Sequence, residues 1–187
     1  MDTEKLGSSR FLNCLFKFGG LAMESRLRRL LTNPEKLLHA AGIGQGQVVL
    51  EVGCGTGYFT LPAADMIGDA GRLIAMDPMS DFADRVEKKA SDAGLANVEV
   101  VRRDALNTQL DEASIDIALL FGVIPFPTLP LDRLLPEMHR ILKEDGILAV
   151  WLFPTSAGVP AGILRSGLFS DIGKLNGVYR YRRTNIA

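Results

Sequence analysis

Gly53, Gly55 and Gly57 recur at alternate positions directly after a run of apolar residues, Val48 to Val52. Valine suits a pleated, buried surface, so Val48-Val49-Leu50-Glu51-Val52 reads as a strand that enters a glycine-rich turn. Glycine accepts positive φ and lets a ligand approach the backbone with no Cβ in the way. Asp77 stands 20 residues beyond Gly57, at the end of a second apolar run. An acid there commonly accepts hydrogen bonds from ribose hydroxyls. The chemistry within reach of these residues is therefore the binding of a nucleotide-like ligand. The bland alternatives are a glycine turn with no ligand, and an aspartate that only caps the turn before Pro78.

Two cofactors compete for such a site, a nicotinamide dinucleotide and S-adenosyl-L-methionine. The dinucleotide fingerprint G-x-G-x-x-G needs a third glycine at position 58, which is Tyr58. A large side chain there hinders the close approach of helix to strand and crowds a pyrophosphate. S-adenosylmethionine carries no phosphate and makes no such demand.

Glu51-Val52-Gly53-Cys54-Gly55-Thr56-Gly57 resembles the first motif of class I S-adenosylmethionine-dependent methyltransferases. Leu73 to Met79 is similar to their second motif, Arg103-Asp104-Ala105-Leu106 to the third, and Ile115 to Phe121 to the fourth. Glu137 to Leu148 resembles the family's E-x-x-R-x-L-K-x-x-G segment. The resemblance runs from about Pro34 to Phe153. It is nearest to the small-molecule subgroup related to ubiquinone and menaquinone biosynthesis methyltransferases (methyltransferase type 11). It implies a methyltransferase that uses S-adenosyl-L-methionine on a small, hydrophobic molecule.

The same resemblance implies roles. Glu51 would orient the loop and meet the methionine amino group, directly or through water. Gly53, Gly55 and Gly57 would form a shelf, with backbone contacts at Cys54 and Thr56. Asp77 would hold the ribose, and Pro78 and Met79 would flank the adenine. Asp104 would accept from the adenine amino group, while Ala105 and Leu106 frame the ring. Phe121 and Gly122 would border the sulfonium. For Asp104 the alternative is a solvated acid after a strand, and for Phe121 a core side chain.

No general base is evident. His139 reads as a surface residue of the helix after the fourth strand, and His39 precedes the first strand. The segment Phe121-Gly122-Val123-Ile124-Pro125-Phe126-Pro127 stands where a DNA amino-methyltransferase would carry N/D-P-P-Y/F. That argues against amino-methylation of DNA bases; the segment is apolar, which suits a hydrophobic acceptor or, equally, packing. With a base lacking, a second class stays open: a non-catalytic S-adenosylmethionine-binding partner or sensor. Arg180, Arg182 and Arg183 could bind an anion or RNA, but more simply keep a sheet edge soluble.

The elements that must position these residues alternate in type. Asn33-Pro34 starts a helix that stops at Gly42. After the glycine loop come a helix over 58–67, a strand over 72–77, a helix over 81–93 capped by Ser80, and a strand over 98–102. A continuous apolar strand over 114–121, a helix over 131–142, a Lys143–Gly146 turn and a strand over 147–153 follow. A helix over 160–168 and two strands hinged at Asn176-Gly177 close the chain. The expected fold is α/β, a doubly wound, mostly parallel Rossmann-like sheet of about seven strands with a C-terminal antiparallel hairpin. Residues 1–33 are expected to form an N-terminal helical cap segment and 34–187 the methyltransferase domain.

The chain has 187 residues and a net charge of −1, so nothing global attracts polyanions, although both ends are basic. Its two cysteines, Cys14 and Cys54, read as free thiols, and no zinc-ligand spacing occurs. The prolines at 125, 127 and 130 interrupt the most apolar stretch, so no transmembrane segment is expected. A cytoplasmic location is expected, with peripheral membrane contact and oligomeric state left open.

Overall fold

The computed structural model describes residues 32–125, 127–152 and 158–185. Cys14 and the basic helical cap expected before residue 32 lie outside the described residues. Helix α1 (Pro34–Ala41) forms as its flanks direct. The Asn33 side chain accepts from the Lys36 amide at 3.0 Å, and Gly42 closes the helix at φ 95°. There follow β1 (Val48–Val52), α2 (Thr60–Ile67), β2 (Arg72–Met76), α3 (Ser80–Asp92), β3 (Val98–Val101) and β4 (Ile115–Phe121). The chain continues through α4 (Leu131–Ile141), β5 (Leu142–Trp151), α5 (Val159–Arg165), β6 (Phe169–Leu175) and β7 (Val178–Arg183).

The strands make one seven-stranded sheet in the order β3-β2-β1-β4-β5-β7-β6. β1 to β5 are parallel, and β7 runs antiparallel to β5 and β6, which is the sheet and hairpin expected. Two apolar layers cover it. Leu38 of α1 and Ala63 and Ile67 of α2 pack on Val49, Leu73 and Leu119, with Val86 of α3 on Ala75 of the same face. Leu134 and Met138 of α4 and Ile163 of α5 pack on Leu50, Ala118 and Leu148 of the other. The central strands are thus buried on both faces, as parallel strands flanked by helices must be.

Four local expectations are corrected. Ser80 is the first helical residue, and Met79 takes the cap position. The acceptor at this helix start is the Asp77 carboxylate, which receives the Met79 amide at 2.9 Å. Lys143–Gly146 is not a free turn but a bulge within β5: Ile115 pairs with Leu142 and Ile117 with Ile147. Asp116 anchors it, accepting from Lys143 Nζ and from the Val48 amide, each at 2.8 Å. His139 is not a surface residue. It is 8% exposed, donates from Nε2 to the Thr184 carbonyl at 2.8 Å and meets Phe169 edge-on. The arginines of β7 do not guard an edge, because β7 lies between β5 and β6.

Candidate functional site

The strand order reverses between β1 and β4, and ligands of open α/β sheets bind at the carboxyl ends of the strands at such a point. The glycine loop occupies that place. The Gly53 and Cys54 amides both donate to the Met76 carbonyl, at 2.7 and 3.0 Å, and Gly57 donates to the Cys54 carbonyl at 2.9 Å. Gly53, Gly55 and Gly57 have φ of 70°, 51° and 82°, the left-handed region that side chains disfavour. A Cβ on Gly53 would lie 2.5 Å from Cγ1 of Val123, in the segment after β4. Lys89 of α3 donates from Nζ to the Thr56 carbonyl at 2.9 Å. The Tyr58 hydroxyl donates to the Thr32 carbonyl, which ties the entry of α1 to the same loop.

Two carboxyls lie beneath the loop. Glu51 is 3% exposed and accepts from Thr60 Oγ1 at 2.6 Å. Burial pushes its pKa up to about 8, the neighbouring Asp77 adding to the rise and the Thr60 hydrogen bond opposing it. Asp77 accepts from the Gly55 amide at 3.0 Å through Oδ2 and from the Met79 amide at 2.9 Å through Oδ1. Burial raises its pKa as well, against the pull of those two hydrogen bonds. The Cys54 thiol is pushed up by burial, then by both acids, so it stays protonated and poorly nucleophilic.

Asp104 follows β3, half-buried, and accepts from the Leu106 amide at 2.9 Å. Its segment is fixed by a latch that the sequence reading did not identify. Thr108 donates from its amide and its hydroxyl to Glu137 Oε1, at 2.9 and 2.6 Å. Arg140 grips the same carboxylate at 2.8 and 2.9 Å. This guanidinium, chiefly, holds Glu137 down to about 2. The E-x-x-R pair therefore acts on the loop that carries Asp104.

These parts converge on a mainly apolar cleft of about 80 Å³. Gly53, Pro78, Asp104 and Ala105 line it from the first three strands, and Thr128 and Leu129 from the segment after β4. Glu51, Cys54, Thr56 and Asp77 form the buried base below the loop. Met79 and Leu106 contribute amides to the two aspartates rather than walls. Phe121 is 6% exposed and belongs to an aromatic group on the opposite flank of the loop, so its side chain is a core contact. Phe59 meets Tyr58 at 5.0 Å, Phe121 at 5.1 Å and Trp151 at 6.0 Å between ring centroids. The Gly122 amide donates to the Trp151 carbonyl at 2.9 Å. Sequence reasoning missed Val123, Leu129 and Trp151. The available signal was their position, in the segment after β4 and at the last residue of β5.

S-adenosylmethionine fits this chemistry. It carries a sulfonium and an ammonium, and the loop sets two desolvated carboxyls against it. Thr56 Oγ1 is also buried with no partner, a polar atom left over inside the cradle. A pyrophosphate would instead meet both acids and the bulk of Tyr58. Fold and site together define an α/β protein built for an adenosyl cofactor. Among the described residues no His, Cys, Asp and Glu cluster could hold a metal ion.

The methyltransferase domain family model matches residues 49–146, more than half of the chain. Demethylmenaquinone methyltransferase of Staphylococcus epidermidis is 30% identical over 115 residues, 60% of this chain and 45% of that protein. The chain spans about half the length of the curated relatives it matches. A SAM-dependent methyltransferase of Aquifex aeolicus superposes with a TM-score of 0.71 at 22% identity, covering 88% of this chain and 96% of its own. Geranyl diphosphate C-methyltransferase of Streptomyces coelicolor, in complex with Mg2+, geranyl diphosphate and S-adenosyl-L-homocysteine, gives 0.67 at 14% identity over 81% and 79%. At those identities the two structures speak for the fold alone. The chain belongs to the methyltransferase domain family.

Proposed function

We propose that the protein transfers the methyl group of S-adenosyl-L-methionine to a small molecule with an apolar body. One observation carries this: the glycine loop, Asp77 and Asp104 converge at the switch point, with two buried carboxyls under the loop. Bound there, the cofactor supplies an activated methyl group on a positively charged sulfur. The chain's residues bind, orient and desolvate. Glu51 pairs with the amino group of the methionine part, losing its proton as it does so. Asp77 takes the ribose hydroxyls, keeping its two amide bonds on its remaining lone pairs. Asp104 accepts from the adenine amino group, held in place by the Thr108–Glu137–Arg140 latch. Pro78, Ala105 and Leu129 pack on the ring.

Neither described histidine suits general-base work. His139 is buried against Phe169, and His39 is exposed in the last turn of α1. The acceptor we infer is therefore one that needs little deprotonation at the reacting atom, or that brings its own base. The named relatives make a demethylated quinone one acceptor to include in the pool tested below. We further infer that residues 34–187 are the methyltransferase domain, that 1–33 form a helical cap beside it, and that the protein works in the cytoplasm. No helix among the described residues is long and apolar enough to cross a membrane. The comparisons lend no support to a non-catalytic binding role. The deciding experiment supplies methyl-labelled cofactor with a pool of small apolar metabolites. Label in an organic-soluble product that disappears in Asp77→Ala supports the proposal; S-adenosylhomocysteine binding without any turnover would leave only the sensor.

A further inference from the structure

The arginines of β7 acquire a different meaning once that strand is placed inside the sheet. Arg180 pairs with Ala149 of β5 on one side and with Gly173 of β6 on the other. Directly opposed residues of an antiparallel pair share a face. Ala149 belongs to the face that also carries Phe121, Trp151 and Val178. Arg180 therefore stands on that face, with Arg182 two positions along the strand on the same side. Trp151 pairs with Val178, so Arg180 is its diagonal neighbour. Such neighbours lie about 7–8 Å apart, within reach of long side chains.

No described acid answers Arg180. Its immediate cross-strand neighbours are a methyl group and a glycine, its side chain forms no ion pair or hydrogen bond among the described residues, and its Nε is buried without a partner. The residue is half-buried, so water compensates its charge only in part. An uncompensated guanidinium is costly, and its planar fork of donors matches carboxylate and phosphate oxygens. Another half-buried arginine of the chain, Arg140, is satisfied twice over through Glu137.

We propose that Arg180, supported by Arg182, forms an oxyanion site beside Trp151, and that its ligand is a phosphate or carboxylate group carried by the methyl acceptor. The acceptor then has an apolar body that meets Trp151 and an anionic group that meets Arg180. This rests on the methyltransferase reading for the word acceptor, though not for the anion site itself. It narrows the acceptor class, since a neutral apolar molecule would leave Arg180 unanswered.

Trp151 is the only tryptophan in the sequence, so its fluorescence reports this corner alone. The full chain, saturated with S-adenosylhomocysteine, is titrated with phenyl phosphate, phenol and inorganic phosphate. Phenyl phosphate should change the emission saturably, with an affinity about tenfold or more above that of either fragment. Arg180→Met should remove that advantage and leave the phenol response unchanged, while Arg180→Lys keeps part of it. Arg182→Met, at an exposed position, should weaken phenyl phosphate by a smaller factor. The urea midpoint of each variant checks that it is folded. Equal affinity of wild type and Arg180→Met for phenyl phosphate overturns the proposal. So does inorganic phosphate binding as tightly as its phenyl ester, because that marks a free-anion site and not an acceptor subsite. Calorimetry with S-adenosylhomocysteine on the same samples keeps the two readings apart. If the wild type takes up none, the methyltransferase reading fails, and the titrations run on the protein alone still judge the anion site by the same criteria.

Discussion

Replacing Glu51 with glutamine should make the protein more stable and less able to bind its cofactor, and the gain should depend on pH. The Glu51 carboxyl has a pKa pushed up to about 8 in the fold, against an ordinary value of 4.5. The native state thus holds a proton that the unfolded chain has lost. A raised acid pKa contributes stability below the unfolded value, and that contribution is lost as pH rises toward the folded value. Each pKa unit corresponds to about 1.4 kcal/mol. Between about pH 5 and about pH 7.5 the wild type should therefore lose roughly 3 kcal/mol through this one group. Glutamine has the shape of the neutral carboxyl, and its amide oxygen can still accept from Thr60 Oγ1. The variant should not show that loss. Urea unfolding followed by Trp151 fluorescence at the two pH values measures the difference. The stability gap between Glu51→Gln and wild type should widen by roughly 3 kcal/mol over this range. Parallel pH slopes would show that Glu51 titrates normally and would refute the account of a desolvated acid under the loop. The same variant should bind S-adenosylhomocysteine roughly 10–100-fold more weakly, for it cannot supply a charge to the ammonium.

Wild-type binding of S-adenosylhomocysteine near neutral pH should release a proton as Glu51 ionises, so the calorimetric heat should vary with the ionisation enthalpy of the buffer; identical heats in all buffers would contradict this. Gly53→Ala puts a methyl group 2.5 Å from Val123 at φ 70°; it should cost roughly 1–3 kcal/mol, and Val123→Ala in the same chain should recover part of the loss in a double-mutant cycle. Glu137→Ala frees Thr108 and leaves Arg140 unpaired, so we expect roughly 1–3 kcal/mol of destabilisation and weaker cofactor binding although Glu137 touches no cofactor; unchanged affinity would mean that the latch does not position Asp104. Native protein should resist alkylation at Cys54, seen as an unmodified peptide by mass spectrometry, until urea exposes it.

Local signals were legible wherever a few adjacent residues decide the structure. Asn33-Pro34 and Gly42 bound α1 as their chemistry requires, and Asn176-Gly177, at φ 48° and 86°, makes the hairpin turn. The glycine loop and Asp77 could be placed at the carboxyl ends of the first two strands for the same reason, since spacing along the chain carries the information. What stayed hidden depends on distant partners. That β7 rather than β6 pairs with β5 is a matter of strand order, and so the edge role first given to its arginines failed. His139 is buried by Phe169 and Thr184, which arrive from the C-terminal hairpin. The latch joins Thr108 to Glu137 across 29 positions, and no local pattern shows that contact. Ser80 looked like a cap, yet it is the first helical residue, and the Asp77 side chain instead fixes the amide of Met79 at the cap position.

Isothermal calorimetry of the full chain tests adenosyl recognition at the switch point most directly. We predict one S-adenosylhomocysteine bound per chain, an affinity weakened roughly 10–100-fold in Asp77→Ala, and no heat with NAD. Binding of NAD in preference, or equal S-adenosylhomocysteine affinity in wild type and Asp77→Ala, would contradict it.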